Sequence, residues 1–305
     1  MNKIDLKLLM KIAGMDGTPK GAFNIRKNSQ LESRASSENI IITSKTDQPG
    51  IDIHIKPGTK KESVHIPVLI TESGIDEMVY NDFFIGEDCD VDIVAGCGIH
   101  NDGPECSQHN GIHTFYVGKN SRVKYSEKHY GEGDGAGERI MNPQTVVHLE
   151  EGAFIELETV QIRGIDSTKR YTKIIAGKDA EAIITERLLT HGKQSAVSEM
   201  DVILDGEGAN ARIISRSVAQ DSSQQTFYPR MIGNSKCFGH VQCDSIIMGD
   251  AKIRSIPEIS ANCADAQLVH EAAIGKIAGD QILKLMTLGL TEQEAEEKIL
   301  DGFLK

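Results

Sequence analysis

Asp179-Ala180-Glu181-Ala182-Ile183-Ile184-Thr185-Glu186-Arg187-Leu188-Leu189 is one unit of a pattern that recurs along most of the chain. A residue that tolerates positive φ is followed by a small residue and then by a β-branched run. The same opening stands at Asp88-Cys89, Asn120-Ser121, Gly152-Ala153, Gly208-Ala209 and Asn234-Ser235. Taken in chain order with Asp179, the first members lie 32, 32, 27, 29 and 26 residues apart. A turn repeated at this period marks a solenoid. Because the repeats are strand-rich, the expected form is a parallel β-helix, each coil hydrogen-bonded to the next and its inward residues stacked into one core. The handedness of parallel crossovers makes it right-handed. A β-sandwich would instead carry turn signals every 8–12 residues or so and a series of hairpin dipeptides; the Asp-Gly and Asn-Gly pairs here are scattered.

Working outward, strand-like runs extend from about Asn39 to Ile259 and include IIIT, IDIHI, VHIPVLI, VDIV, FIELETVQI and ARIISRS. Ahead of them, Ile4, Leu8 and Ile12 share one face of a short helix that Gly14 stops. Behind them, Asp280 is read as a cap for a helix over 281–288 with Gly289 as its stop. Thr291-Glu292-Gln293-Glu294 is a capping box for a second helix running to Phe303. The expected fold is thus mainly β: residues 1–38 a helix and linker, 39–260 the β-helix core, and 261–305 a small helical region. That last region serves either as a lid on the open end of the solenoid or as a docking surface.

The 305 residues carry 33 Lys and Arg against 45 Asp and Glu, a formal charge of −12. This balance argues against nucleic acid and anionic membranes as partners. The N-terminus lacks the apolar run and cleavage site of a signal peptide, and no stretch reaches the roughly 18 apolar residues of a spanning helix. A cytoplasmic protein is expected, in which the six cysteines stay reduced, buried or metal-bound. There is no Walker A phosphate cradle, and GEGDGAGE (131–138) carries acids where phosphate would need lysine; it reads as a mobile loop.

Two segments concentrate potential ligands. CGIHNDGPECSQHNGIH (97–113) holds Cys97, His100, Cys106, His109 and His113. Thiolates and imidazoles bind zinc, iron and copper, although this spacing is no standard zinc pattern; the plainer reading is a long loop with solvated histidines. The second segment holds Cys237, His240, Cys243, Cys263, His270 and Glu271. In one strand Cys237 and Cys243 share a face and His240 takes the other. A single inward cysteine is also an ordinary small core residue, the plainer reading for Cys89 and Cys263.

At Cys243 and Glu271 the chain resembles the SufB/SufD family of iron–sulfur cluster assembly proteins. The resemblance is carried by QCDSIIMGD (242–250), HEAAIGKI (270–277) and DQILKLMTLGLTEQEAEEKILDGF (280–303). Gly96-Cys97, His109-Asn110 and SRVKY (121–125) follow more weakly in family order. It implies a scaffold, not an enzyme, on which a transient 4Fe-4S or 2Fe-2S cluster is built at a subunit interface. It also implies a SufC-type ABC ATPase docked on the C-terminal helices, a sulfur donor, and apo iron–sulfur proteins as recipients. Cys243 resembles the family's interface thiol, Glu271 with His270 a SufB-type ligand pair, and Cys97 a cysteine that accepts sulfur and passes it towards Cys243. Cys237, Cys263, Cys106, His100, His109 and His113 stand as further candidate ligands. The chain is shorter than a typical SufB and carries its own histidine-rich stretch after Cys97. Both departures fit a minimal form acting as a homodimer through β-helix pairing, in place of a SufB/SufD heterodimer. The competing readings are a structural zinc β-solenoid built on 97–113 and a β-helical carbohydrate-active protein; the latter sits poorly with the lack of Trp and only 5% aromatic residues.

Overall fold

The computed structural model describes residues 1–17 and 19–305, with the side chain of Arg163 left aside. The strands wind into a β-solenoid of about eight turns. One sheet stacks the strands Lys60–Ile70, Asp90–His100, Arg122–Glu132, Phe154–Arg163, Glu181–Thr190, Asn210–Ala219, Phe238–Ile247 and Gln267–Gly275 in parallel. The facing sheet runs from Gly50–Ile55 through Asp76–Ile85, Ser107–Val117, Ser167–Ala176 and Ser195–Leu204 to Gln224–Gly233, beyond which Lys252–Ser255 and Glu258–Ala261 pair in parallel. Between Ser107–Val117 and Ser167–Ala176 it is built from two short strands, Arg139–Met141 and Gln144–Leu149.

Alternation puts odd or even positions inward according to the strand, and the parallel register stacks them coil on coil. One inner column reads Ile93, Tyr125, Leu157, Ile184, Ile213, Val241. All six are buried, each stabilising the fold by about 1.5–3 kcal/mol in area terms. The recurrent turn has the expected geometry at Asp88, Asn120, Gly152, Asp179 and Gly208, with φ of 57°, 55°, 67°, 52° and 76°. It fails at Asn234, which lacks a positive φ. The sixth corner falls two residues later, because Phe238 N donates to Ala209 O and so places Cys237 beside Ala209. Cys89 and Cys237 therefore both fill the small-residue corner position, alongside Ser121, Ala153, Ala180 and Ala209, all buried.

The helix Lys3–Ala13 is capped by Asn2 and closed by Gly14 at φ 64°. It buries Leu8, Leu9 and Ile12 on the outside of the solenoid. Gly96 and Gly98 permit the approach: a Cβ there would stand 3.0 Å from Ile12 Cβ and 3.1 Å from Leu8 Cδ2. The span read as a linker contains the strand Ala22–Lys27, which pairs in parallel with Lys60–Ile70. At the other end the last strand carries the sheet to Gly275, past residue 260. The helix Gly279–Thr287 takes Ala278 as its N-cap, without a side-chain bond; Asp280 lies in its first turn and does not cap it. Thr291 and Glu294 form the expected capping box for Glu292–Phe303, whose Leu300 and the following Leu304 pack on Val218. Among the described residues no helix is long and apolar enough to cross a membrane.

Candidate functional site

The column Ile93 to Val241 ends, in the last coil, on His270. One position on, Cys243 is followed by Ala272. Cys243 and His270 thus share the inner face at the mouth of the solenoid. Cys243 is 2% exposed, and burial pushes its thiol up to about 11, with Glu186 and Asp244 adding to the rise. Ser255, from the opposite wall of the same coil, is the one neighbour that pulls it down. Its hydroxyl is off hydrogen-bonding geometry: among the described residues Ser255 Oγ and His270 Nε2 have no hydrogen-bond partner although both atoms are buried. Burial also lowers the His270 pKa, against the pull of Glu271, which favours the neutral ring.

Glu271 pairs with Gln242 and lies on the outer face, its side chain 63% exposed. His240 Nε2 lies 3.3 Å from its Oε1, a contact off hydrogen-bond geometry. The expected trio therefore splits into two sets across one strand, Cys243 with His270 inside and Glu271 with His240 outside. They meet only around the free edge of Gln267–Gly275, the last strand of its sheet. Cys237 and Cys243 face the same way, as the even spacing requires, but Cys237 sits in the corner. Cys263 occupies the next turn, close enough that its charge bears on Cys237.

The segment 97–113 is not a loop. Cys97 and His100 end one strand; His109 and His113 lie on another. His109 and His113 have the parity of the buried Phe115 and Val117 and point into the lumen. His100 lies between Glu132 Oε1 at 3.2 Å and Asp102 Oδ2 at 2.9 Å, while Cys106 is exposed at the corner. The glycine loop stacks on that corner, Gly135 N donating to Asn101 O and Gly137 N to Gly103 O. Among the described residues no three His, Cys, Asp or Glu side chains converge on a metal-sized site.

Cys97 is 1% exposed; burial drives its thiol well up, and Glu77 and Glu127 reinforce the shift. Sequence reading missed what lies beyond it. Two adjacent inner columns read Cys97, His129, Gln161 and Glu127, Thr159, Glu186, Ser215, Cys243. From the facing sheet Arg170 donates to Glu127 Oε2 at 2.9 Å, approaches His129 Nδ1 at 3.2 Å and lies 3.7 Å from Glu186 Oε2. Ser198 donates to Glu186 at 2.7 Å and Ser215 at 3.4 Å. Burial works to raise the Glu127 pKa, but His129 and Arg170 outweigh it and hold the carboxyl far below its usual range. Five strand steps of ~4.8 Å put the two cysteines roughly 24 Å apart along this polar seam. Its signal in the sequence was a charged residue at apolar parity: Glu127 and His129 continue the inward series Val123, Tyr125.

The chain is similar to proteins already known. The family model described as SUF system FeS cluster assembly, SufBD core domain, matches residues 76–303. An iron–sulfur cluster assembly SufBD family protein of Methanocaldococcus jannaschii is 32% identical over 93% of this chain and 90% of its own length. Another from Archaeoglobus fulgidus is 30% identical over 85% of this chain and 69% of its own length. One from Methanothermobacter thermautotrophicus is 26% identical over 84% of this chain, which spans 62% of that relative.

Proposed function

The chain belongs to the SufBD family of iron–sulfur cluster assembly proteins, and from that premise we propose that it is a scaffold subunit that builds a labile cluster at the mouth of its solenoid. The observation that carries this reading is a buried thiol, Cys243, on the same inner face as two buried polar atoms, Ser255 Oγ and His270 Nε2, that lack partners among the described residues. Buried polar groups are nearly always satisfied, and exceptions point to an occupant. The cluster is cargo here. A thiol held near 11 is protonated at pH 7, so iron must displace its proton on binding, and protonation favours release. Imidazole and carboxylate beside one thiolate give a weaker grip than the four thiolates of resident clusters.

The free edge of Gln267–Gly275, with Val269 and Ile274 exposed, supports pairing with a second solenoid. Such pairing would let Glu271 of one copy and Cys243 of the other approach around the edge. The helix Gly279–Thr287 and its following turn leave Leu283, Met286 and Leu288 exposed. That apolar patch supports docking of a SufC-type ABC ATPase, which would supply the energy. The seam from Cys97 to Cys243 supports sulfur entering at Cys97 and moving to the mouth before transfer to apo-proteins.

The test is anaerobic reconstitution with iron and sulfide, alone and with a SufC-type ATPase, on the wild type, Cys243→Ser and Glu271→Ala. Charge-transfer absorption with bound iron is expected in the wild type, lost in Cys243→Ser and weakly retained in Glu271→Ala. A colourless wild type under both conditions would sink the reading.

A further inference from the structure

The inner face of the facing sheet carries the column Arg170, Ser198, Phe227, Ser255. Across the lumen stands the column Glu127, Thr159, Glu186, Ser215, Cys243. Two donors already close the gap between them. Arg170 Nη1 donates to Glu127 Oε2 at 2.9 Å, and Ser198 Oγ donates to Glu186 Oε2 at 2.7 Å. In the second pair the donor follows its acceptor by 12 residues. The same interval of 12 separates Ser215 from Phe227 one coil on, and Cys243 from Ser255 two coils on. Neither sheet shifts register between these coils. Ser255 is therefore the counterpart of Ser198, and Cys243 the counterpart of Glu186.

The two equivalent pairs differ in the acceptor. Glu186 is a carboxylate, and it takes hydroxyls from both Ser198 and Ser215. Cys243 carries a thiol, a weak acceptor. Ser255 Oγ is buried like its counterpart, yet among the described residues it has no hydrogen-bond partner. The repeat has thus delivered a hydroxyl to a position where the neutral side chain opposite gives it little to bond. An anion at that position would be bound as Glu186 is, through a charge-assisted hydrogen bond.

We propose that Ser255 is a positioning residue of the mouth, whose hydroxyl turns to donate to the Cys243 sulfur when that sulfur holds iron as a thiolate. The inference rests on the scaffold reading above and deepens it. The thiol gives its proton to water as the sulfur–iron bond forms, and no electron is transferred. The hydroxyl keeps its own proton and shares it with the sulfur. Groups that hydrogen-bond to metal ligands govern how firmly the ligand holds, and bonds to sulfur tune the electronic properties of clusters.

The experiment compares the full chain as wild type, Ser255→Ala and Ser255→Thr, with thermal melting run on each. Without metal, each is treated with iodoacetamide at pH 9 and the rate of labelling at Cys243 is mapped by mass spectrometry. Only the thiolate reacts. Ser255→Ala melts as wild type does, because it breaks no hydrogen bond, but its Cys243 labels about tenfold more slowly, the loss expected of one hydrogen bond to a charged group. Ser255→Thr, which keeps the hydroxyl, restores the rate. After anaerobic reconstitution with iron and sulfide, the charge-transfer absorption of Ser255→Ala moves to longer wavelength, since a thiolate without its hydrogen bond gives up charge more readily. Equal labelling of wild type and Ser255→Ala, no recovery in Ser255→Thr, or a wild-type Cys243 that never labels would overturn the proposal. The two readings fail separately. Labelling that depends on Ser255 in a chain that forms no cluster keeps the serine's role and refutes the scaffold. A cluster with the same absorption in Ser255→Ala, and equal labelling, keeps the scaffold and refutes the serine.

Discussion

The lumen around Glu127 and the mouth around Cys243 lie on the same inner columns of one sheet, and they differ in whether their ionisable groups are paired. In the lumen, Arg170 serves two carboxylates and an imidazole, and serines complete Glu186. At the mouth, the buried Ser255 Oγ and His270 Nε2 have no well-formed hydrogen bond among the described residues. Buried charge is tolerated when it is paired and hydrogen-bonded, so the charges of the lumen are held within the fold, although among the described residues Thr159 Oγ1 and Gln161 Oε1 beside them have no hydrogen-bond partner. The mouth, by the same rule, is complete only with something else present. Stability and ligand retention should therefore separate cleanly between the two regions.

The sharpest break would come from Arg170→Met. It strands Glu127 and Glu186 as buried charges, a change worth about 3–5 kcal/mol. Urea unfolding monitored by circular dichroism measures it. A loss below about 1 kcal/mol would mean that the seam is not the paired network described.

Acid should strike the lumen next. Burial lowers the His113 pKa from 6.5 to about 4, against the opposing pull of Glu127. Between those values the unfolded chain binds a proton there that the folded chain refuses. The contribution is complete above pH 6.5 and lost as pH falls towards 4, up to about 3 kcal/mol. His113→Gln should flatten that part of the stability profile, and an unchanged slope would assign it elsewhere.

A smaller effect is expected where the outside of the solenoid meets the N-terminal helix. Gly98→Ala places a methyl 3.1 Å from Leu8 Cδ2, an overpacking cost of about 1–3 kcal/mol. Faster amide exchange confined to Lys3–Ala13 would locate the damage in that helix; uniform exchange would not.

How much of this the sequence could disclose follows from where its signals are local. The solenoid was legible because five of the corners set a left-handed residue beside a small one, as at Asp179-Ala180. Asn234-Ser235 imitates that pair, and only the hydrogen bond from Phe238 N to Ala209 O moves the corner to Cys237. His109 and His113 looked like loop ligands because glycines and a proline surround them. Their shared parity with Phe115 and Val117 was the signal that they turn inward. That Glu271 and Cys243 lie on opposite faces depends on the pairing of Gln242 with Glu271, which joins residues far apart in sequence. Arg170 was invisible for a similar reason, since its partners come from the facing sheet.

The mouth supplies the last and smallest change in stability, and the one that tests its role most directly. His270 is half-buried and among the described residues makes no hydrogen bond through Nε2, so His270→Ala breaks no hydrogen bond at that nitrogen. Its thermal midpoint should stay within the shift expected of a surface change, about 0.5 kcal/mol. Cys243→Ser should also remain folded, since the swap keeps shape at a position already beside a hydroxyl. Yet both variants should retain less iron after anaerobic reconstitution, Cys243→Ser the least. In the wild type, retention should rise with pH, because the Cys243 proton held to about 11 must leave when iron binds. Iron retention that is flat with pH and indifferent to either substitution would mean that the unpaired atoms at the mouth do not hold the cargo. The contrast between paired charges in the lumen and an unpaired imidazole at the mouth would then be one of packing alone.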